Sequence, residues 1–320
     1  MSKPVLVVTR RLPEAIEARA VREFEARLNS EDAPRTAADI LRLAQGADAV
    51  LCTPAERLDG ATVGALPATV KVIGTFSVGF DHVDIAACRA RGLPVVNTPD
   101  VLSVATAECA MLLILAAARR AGEGDRLVRS GRWTGWAPTQ LLGTQVSGRH
   151  LGIFGLGRIG RELTRMARGF DMTVHYRDVA RLPPELEHGA QWHEDDASFL
   201  AASEVLSLHA PAATGTRHWL NAERIAMLPR GAVVVNAARG ALVDDAALIA
   251  ALREGQVGFA GLDVYEGEPN LNPDYRTLEN VVLLPHLGSA TRETRDAMGH
   301  LVLDGITAVL AGRDPNNLVH

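Results

Sequence analysis

Three side chains able to handle a carbonyl group stand just beyond apolar runs of the chain: Arg239 in NAARG, Glu268 in GLDVYEGEP and His286 in LPHLGS. A guanidinium forks a carboxylate with two hydrogen bonds. An imidazole gives or takes a proton near neutral pH, and a neighbouring carboxylate favours its cationic form and orients the ring. The set suits hydride addition to a ketone that carries a carboxylate, which needs a cation to fix the acid, a donor for the growing alkoxide and a source of the proton. In reverse, neutral His286 would take the hydroxyl proton. Singly, each has a plainer reading: a surface arginine, a solvated glutamate, a loop-capping histidine. Their common placement after strand-like segments argues against it.

A site for the hydride carrier is also legible. Gly155-Leu156-Gly157-Arg158-Ile159-Gly160 follows an apolar strand pattern and opens a helical one. Glycines there permit a tight turn, let backbone approach a pyrophosphate at a helix N-terminus and allow close helix–strand contact. Arg158 could neutralise that pyrophosphate or simply face solvent. Asp178, just past the next strand, can accept hydrogen bonds from adenine-ribose hydroxyls and repels a 2′-phosphate, so NADH is expected over NADPH. Arg177 and Arg181 flank it and could meet a 2′-phosphate if the loop turned. Asp263 could bond the nicotinamide carboxamide or serve as a cap. In GTFSVGFD, Ser77, Val78 and Gly79 could turn successive amides toward an anion.

The elements that must position these residues form two series. Residues 5–9, 49–52, 70–74 and 95–97 read as strands with helical material between them, including a helix over 14–28. A second series has strands at 151–155, 173–177, 205–209, 232–236, 258–263 and 281–284, with helices at 160–168 and 245–254. Continuous apolar strands imply cover on both faces, hence an α/β fold with a doubly wound, mostly parallel sheet of about six strands. A long helix is expected over 106–129, then a turn-rich arm, and a final helix over 293–310 that returns to the first series. The organisation expected is a smaller flavodoxin-like substrate domain, 1–100 completed by 290–320, and a dinucleotide-binding domain, 101–289. The active site is expected in the cleft between them.

Bulk properties narrow the partners. The chain has 320 residues, is 47% hydrophobic and carries a net charge of −5 with scattered arginines, which argues against nucleic acid or an anionic membrane. The start passes directly into a strand without a secretory pattern, and the apolar stretch 109–118 is too short to cross a bilayer. Cys52, Cys88 and Cys109 are too few and too far apart for a disulfide framework or a sulfur-ligated metal, so a reducing cytoplasm is expected. The pairs His188/His193 and His82/Asp84 lack residues to complete a zinc set; they read as surface residues, and no metal is expected.

Taken in order, FSVGFDHVD, LGIFGLGRIG, SLHAP, LPRGAVVVNAARGALVD, GLDVYEGEP and LPHLGSAT resemble the D-isomer-specific 2-hydroxyacid dehydrogenases over residues 1 to 315. The resemblance implies that the family's Arg, Glu and His are Arg239, Glu268 and His286, with Ser77, Val78 and Gly79 on the substrate. It further implies cofactor contacts at Thr106, His209, Pro211, Thr216, Ala237, Arg239, His286 and Gly288. Where relatives have HCP or HLP this chain has His209-Ala210-Pro211, a change that should not abolish cofactor binding. Formate-oxidising members pair the His with Gln, whereas this chain has Glu268. Within the family the chain is most similar to glyoxylate/hydroxypyruvate reductases. That likeness implies a homodimer formed through the 106–118 helix and the 120–145 arm, with Trp136 reaching the neighbouring subunit's active site. Many such reductases prefer NADPH and carry a small polar residue and Arg where this chain has Asp178-Val179, which returns the expectation to NADH. Another 2-hydroxy acid, phosphite, or a non-catalytic NAD(H)-sensing role on the same fold remain as alternatives.

Overall fold

The computed structural model describes residues 2–319, and the chain divides into two compact units. The first comprises the residues up to Leu102 together with those from Ala290 on; the second is Ser103–Ser289.

The first unit opens with β1 (Val5–Val8), α1 (Glu14–Glu23), β2 (Glu25–Arg27), α2 (Ala37–Leu43) and β3 (Ala49–Cys52). It continues through α3 (Gly60–Ala65), β4 (Val72–Thr75), α4 (Ile85–Ala90) and β5 (Val95–Val96). The second unit begins with α5 (Ser103–Ala118) and α6 (Ala121–Arg129), followed by β6 (His150–Phe154), α7 (Arg158–Ala167), β7 (Thr173–Arg177), α8 (Pro184–Glu187) and β8 (Gln191–Trp192). Next come α9 (Asp196–Ala201), β9 (Val205–Leu208), α10 (Ala222–Ala226), β10 (Ala232–Asn236), α11 (Asp245–Glu254), β11 (Val257–Leu262) and β12 (Val281–Leu283). The chain then returns to the first unit with α12 (Arg292–Leu310) and β13 (Leu318–Val319).

Each unit is a sheet covered by helices. The first has the order β13-β5-β4-β3-β1-β2, parallel except for β13. Apart from β13 this is the flavodoxin order, with its switch point between β1 and β3. The second is wholly parallel in the order β12-β11-β10-β9-β6-β7-β8 and reverses direction between β6 and β9. This is a Rossmann-like arrangement, whose ligands gather beyond the carboxyl ends of the strands at the reversal. Strands β3, β4, β9 and β10 are buried at every residue, as double cover demands. Most helices start on a side chain that caps the first turn, such as Asp84 for α4, Asp195 for α9 and Asp244 for α11.

Several expectations need correction. The helix expected over 14–28 stops at Glu23, because Glu25–Arg27 leave it to pair with Val5–Val7 as an edge strand. The helix expected over 106–129 is two helices. Arg120 adopts φ +52°, separating the mostly buried α5 from α6, which buries no residue. The larger sheet has seven strands rather than six among the described residues; β8, only two residues long, was too short to read. Strands expected to run through Gly155 and His209 end one residue earlier, so both residues begin loops. His82 is buried rather than superficial, with its ring 2.8 Å from the Thr75 hydroxyl. His193 is partly buried beside His175. Among the described residues no helix is long and apolar enough to cross a membrane, and no cluster of ligating side chains suits a metal ion.

Candidate active site

The glycine loop leaves β6 through Gly155, at φ +94°, where a Cβ would sit 2.7 Å from the Ala210 amide nitrogen. Only glycine fits both constraints. Gly160 abuts the Gly155 carbonyl oxygen, 2.5 Å from where a Cβ would lie, and the neighbouring Ile159 packs against the core. Gly157 differs: a Cβ there meets nothing within 4 Å, and no side chain caps the start of α7. The helix N-terminus therefore faces a space bordered by backbone, with Arg158 exposed at its edge. This cradle fits the pyrophosphate of a dinucleotide.

Asp178 closes the loop from the side of β7. Its carboxylate accepts the amides of Leu156 at 2.8 Å and Val179 at 2.7 Å, fixing a negative charge beside the cradle. Both neighbouring arginines have partners, Arg177 among them donating to the Asp178 carbonyl. Arg177 lies over the Trp192 ring, 5.4 Å from its centroid, and 3.4 Å from Asp196; Arg181 pairs with Glu187 at 2.8 Å.

Across the switch point, the loop after β9 begins with His209, whose backbone N–H donates to Phe154 O. Its Nε2 lies 2.8 Å from Ser207 Oγ, while burial pushes the imidazole down to about 4, so the ring is neutral. Nδ1 has no partner among the described residues. Pro211 and Thr216 follow in an exposed turn held by the Thr216 hydroxyl donating to Pro211 O at 2.7 Å. Ala237 is buried at the end of β10.

Beyond β10, β11 and β12 the second unit brings together the loops of Arg239, Glu268 and His286. His286 Nδ1 is 2.8 Å from Glu268 Oε2, and the Tyr265 amide donates to Glu268 Oε1 at 2.8 Å. Burial works to raise the Glu268 pKa, but His286, the Tyr265 amide and the charge of Arg239 outweigh it and hold the group below the usual glutamate value. Arg239 is tied to this loop through its neighbour. A Cβ on Gly240 would lie 1.8 Å from the Tyr265 carbonyl carbon, so the two backbones are in direct contact. His286 is at φ +57°, and its side chain is 40% exposed and reachable by a small molecule.

Asp263 lies just past the end of β11. It is fully buried, and its two oxygens accept the amides of Leu287 at 2.6 Å and Gly288 at 2.8 Å. It builds the turn that carries His286. Gly288 lies against Thr106 of α5, whose methyl would be 3.3 Å from a Cβ there. Trp136, in the arm after α6, is 82% exposed.

In the first unit, the Ser77-Val78-Gly79 loop leaves the carboxyl end of β4. Ser77 Oγ donates to Gly79 O at 2.6 Å, and the Asn97 amide group donates to Val78 O at 2.8 Å. A buried relay stands behind it. With its own proton committed to Gly79 O, Ser77 Oγ accepts from the Thr75 hydroxyl at 2.8 Å, and Thr75 in turn accepts from His82 Nε2 at 2.8 Å. Sequence reasoning missed both Tyr265 and this relay. The signals were present: a tyrosine between the end of β11 and Glu268, and a histidine just beyond the SVG turn.

Comparison with known proteins agrees with this geometry. The family described as D-isomer specific 2-hydroxyacid dehydrogenase, NAD binding domain, matches residues 111–288. A glycerate dehydrogenase of Hyphomicrobium methylovorum is 42% identical over 98% of each chain. A glyoxylate reductase of Thermococcus litoralis is 38% identical over 99% of this chain and 97% of its own. Among solved structures, the NADPH-dependent glyoxylate/hydroxypyruvate reductase of Sinorhizobium meliloti, in complex with NADP and malonate, superposes with a TM-score of 0.88 at 32% identity, covering 99% of this chain and 97% of that one.

Proposed function

Because the chain belongs to the D-isomer-specific 2-hydroxyacid dehydrogenases, we propose that it reduces glyoxylate to glycolate and hydroxypyruvate to D-glycerate, with NADH preferred over NADPH. The observation that carries this reading is the Glu268–His286 contact of 2.8 Å beside Arg239, in the same unit as the glycine loop. The relatives named glycerate dehydrogenase and glyoxylate reductase support the substrate class.

The cofactor would be held by the backbone of Gly155–Gly160, by Asp178 and by the loops of Pro211, Thr216, Ala237 and Gly288. When bound, the nicotinamide supplies the hydride. Arg239 fixes the substrate carboxylate, and its positive charge favours the oxygen that becomes an alkoxide. With Nδ1 engaged by Glu268, His286 Nε2 is the nitrogen left to pass the proton to that oxygen. Glu268 keeps the ring oriented. The charge of Asp178, with Arg177 and Arg181 already partnered, supports NADH.

The exposed Trp136 and Leu142 of the arm support a homodimer in which Trp136 enters the partner's site. Three free, buried thiols, with burial pushing Cys52 and Cys109 up to about 12 and Cys88 to about 11, are inert and support a reducing cytoplasm.

The test is the initial rate of nicotinamide oxidation with glyoxylate, hydroxypyruvate, pyruvate and phenylpyruvate, each against NADH and NADPH. Glyoxylate or hydroxypyruvate should be fastest with NADH, and His286→Ala should abolish turnover while cofactor still binds. Folded, cofactor-binding protein that turns over none of these acids would refute the proposal.

A further inference from the structure

Tyr265 stands between the two halves of the acid–base pair. Its backbone N–H donates to Glu268 Oε1 at 2.8 Å, while the other carboxylate oxygen meets His286. Its side chain turns back to the sheet. The phenol lies 3.0 Å from the carbonyl oxygen of Leu262, the last residue of β11, and 2.8 Å from that of Leu284, which follows β12 two residues before His286. One hydroxyl proton is shared between two carbonyls belonging to neighbouring strands. Leu262 O also accepts the Leu284 amide at 2.8 Å, so the phenol joins the point where the two strands part.

Beyond that point Asp263 holds the His286 turn from the sheet side, while the other side of the Glu268 and His286 loops borders open space. Glu268 and His286 line a cavity of about 310 Å³ whose walls include Leu271, Leu284 and Tyr265 itself. Packing across an open cavity cannot fix a side chain to a fraction of an ångström, whereas hydrogen bonds at the strand ends can. Resting on the dehydrogenase reading above, we propose that Tyr265 is a positioning residue: its hydroxyl clamps the ends of β11 and β12 and thereby sets the distance and angle at which Glu268 meets His286.

A phenylalanine fills the same space but leaves Leu284 O without the donor it has here. The loops could then part by a few tenths of an ångström, enough to weaken proton transfer. The charge surroundings give a readable sign. Glu268 faces His286, the Tyr265 amide and Arg239; Arg276 lines the same cavity, and Glu266 is turned away to Arg217 and His218. Against burial, which raises its pKa, the first three hold Glu268 below the usual value. Loosening the clamp weakens them, so the Glu268 titration moves up.

The experiment is Tyr265→Phe in the full-length protein, with kcat and KM for the 2-oxo acid and for NADH measured across pH, alongside the thermal midpoint. The expected result is a kcat lower by about tenfold, a KM for NADH within about twofold of wild type, and an acidic limb displaced upward. Unchanged kcat and pH profile, or a lowered melting midpoint with unchanged kinetics, would overturn the proposal. The carboxyl-carbon NMR titration of Glu268 in both proteins needs no turnover: a higher midpoint in the variant supports the clamp, and coincident curves refute it. Failure of wild-type turnover would instead strike the functional reading.

Discussion

Lowering the pH should destabilise the dinucleotide unit through His175, a buried residue in the middle of β7. Three rings form a chain across the sheet: His150 Nδ1 lies 2.8 Å from His175 Nε2, and His175 Nδ1 lies 3.0 Å from His193 Nε2. His193 Nδ1 is 3.1 Å from Ser198 Oγ, which donates to the Asp195 carboxylate at 2.9 Å. That carboxylate fixes the direction of every proton in the chain. Ser198 accepts from His193, His193 from His175, and His175 from His150. A second proton on His175 would sit on Nε2 and would require His150 to give up the proton on its Nδ1. The other nearby charges offer no relief: Glu204 is already bonded to Arg149 and to the His150 amide. Burial, with the two neighbouring rings, pushes His175 down from 6.5 to about 4.

The sign follows from which state binds the proton. Between these values the unfolded chain protonates His175 and the folded chain does not, so stability falls as pH drops through 6.5 and the loss is complete below about 4. At about pH 5 the difference amounts to about 2 kcal/mol, approaching about 3 kcal/mol at lower pH. Urea unfolding followed by tryptophan emission isolates this unit, because Trp133, Trp136, Trp192 and Trp219 all lie within Ser103–Ser289. Carboxylates and His209 also titrate in this range, so the quantity to compare is the loss between about pH 7.5 and about pH 5 in wild type and in His175→Phe. The variant should lose about 2 kcal/mol less than wild type. Equal losses, or a His175 ring that titrates near 6.5 by NMR, would refute the reasoning.

Two further predictions concern the proposed activity. Asp178→Ser removes the charge beside the cradle and the acceptor of the Leu156 amide, so the kcat/KM ratio of NADPH to NADH should rise by about tenfold or more while the KM for NADH also rises; an unchanged ratio in parallel initial-rate assays would remove Asp178 from cofactor selection. His82→Phe breaks the relay behind the Ser77 loop, so the KM for the 2-oxo acid should rise by about tenfold with little change in the KM for NADH. Steady-state kinetics with each substrate varied in turn decide it, and a parallel rise in both would assign His82 to general stability instead.

The parts of the fold that sequence exposes are those whose signal is local. The apolar run at β10 and the Asp-capped α11 have the bounds expected of them, since burial on both faces and a capping side chain are written in consecutive residues. The turn at Gly155 is local too. What escaped depends on partners distant in the chain. Glu25–Arg27 continue the helical periodicity of α1 and leave it only because β1 offers an open edge. The apolar run ends at Ala118, and Gly122 and Gly124 follow, but neither places the break at Arg120. The histidine chain joins positions on β6, on β7 and beyond β8, each unremarkable alone. The candidate trio was legible because strand ends in a parallel sheet converge, but the residues that hold it, Tyr265 and Gly240, act through backbone contacts that no spacing rule reports.

Asp263 illustrates why that second group matters to the chemistry. The geometry of His286 carries a cost, because a non-glycine residue at φ +57° is disfavoured by about 1 kcal/mol. A fully buried carboxylate carries a larger one unless its oxygens are satisfied. Each offsets the other: the left-handed turn at His286 brings the Leu287 and Gly288 amides onto the two oxygens of Asp263, and the Asp263 carbonyl accepts the His286 amide at 2.8 Å. The turn thus aims the imidazole at Glu268 from a backbone conformation that the side chain itself does not favour. Asp263 is thereby one reason that the histidine is held at Glu268.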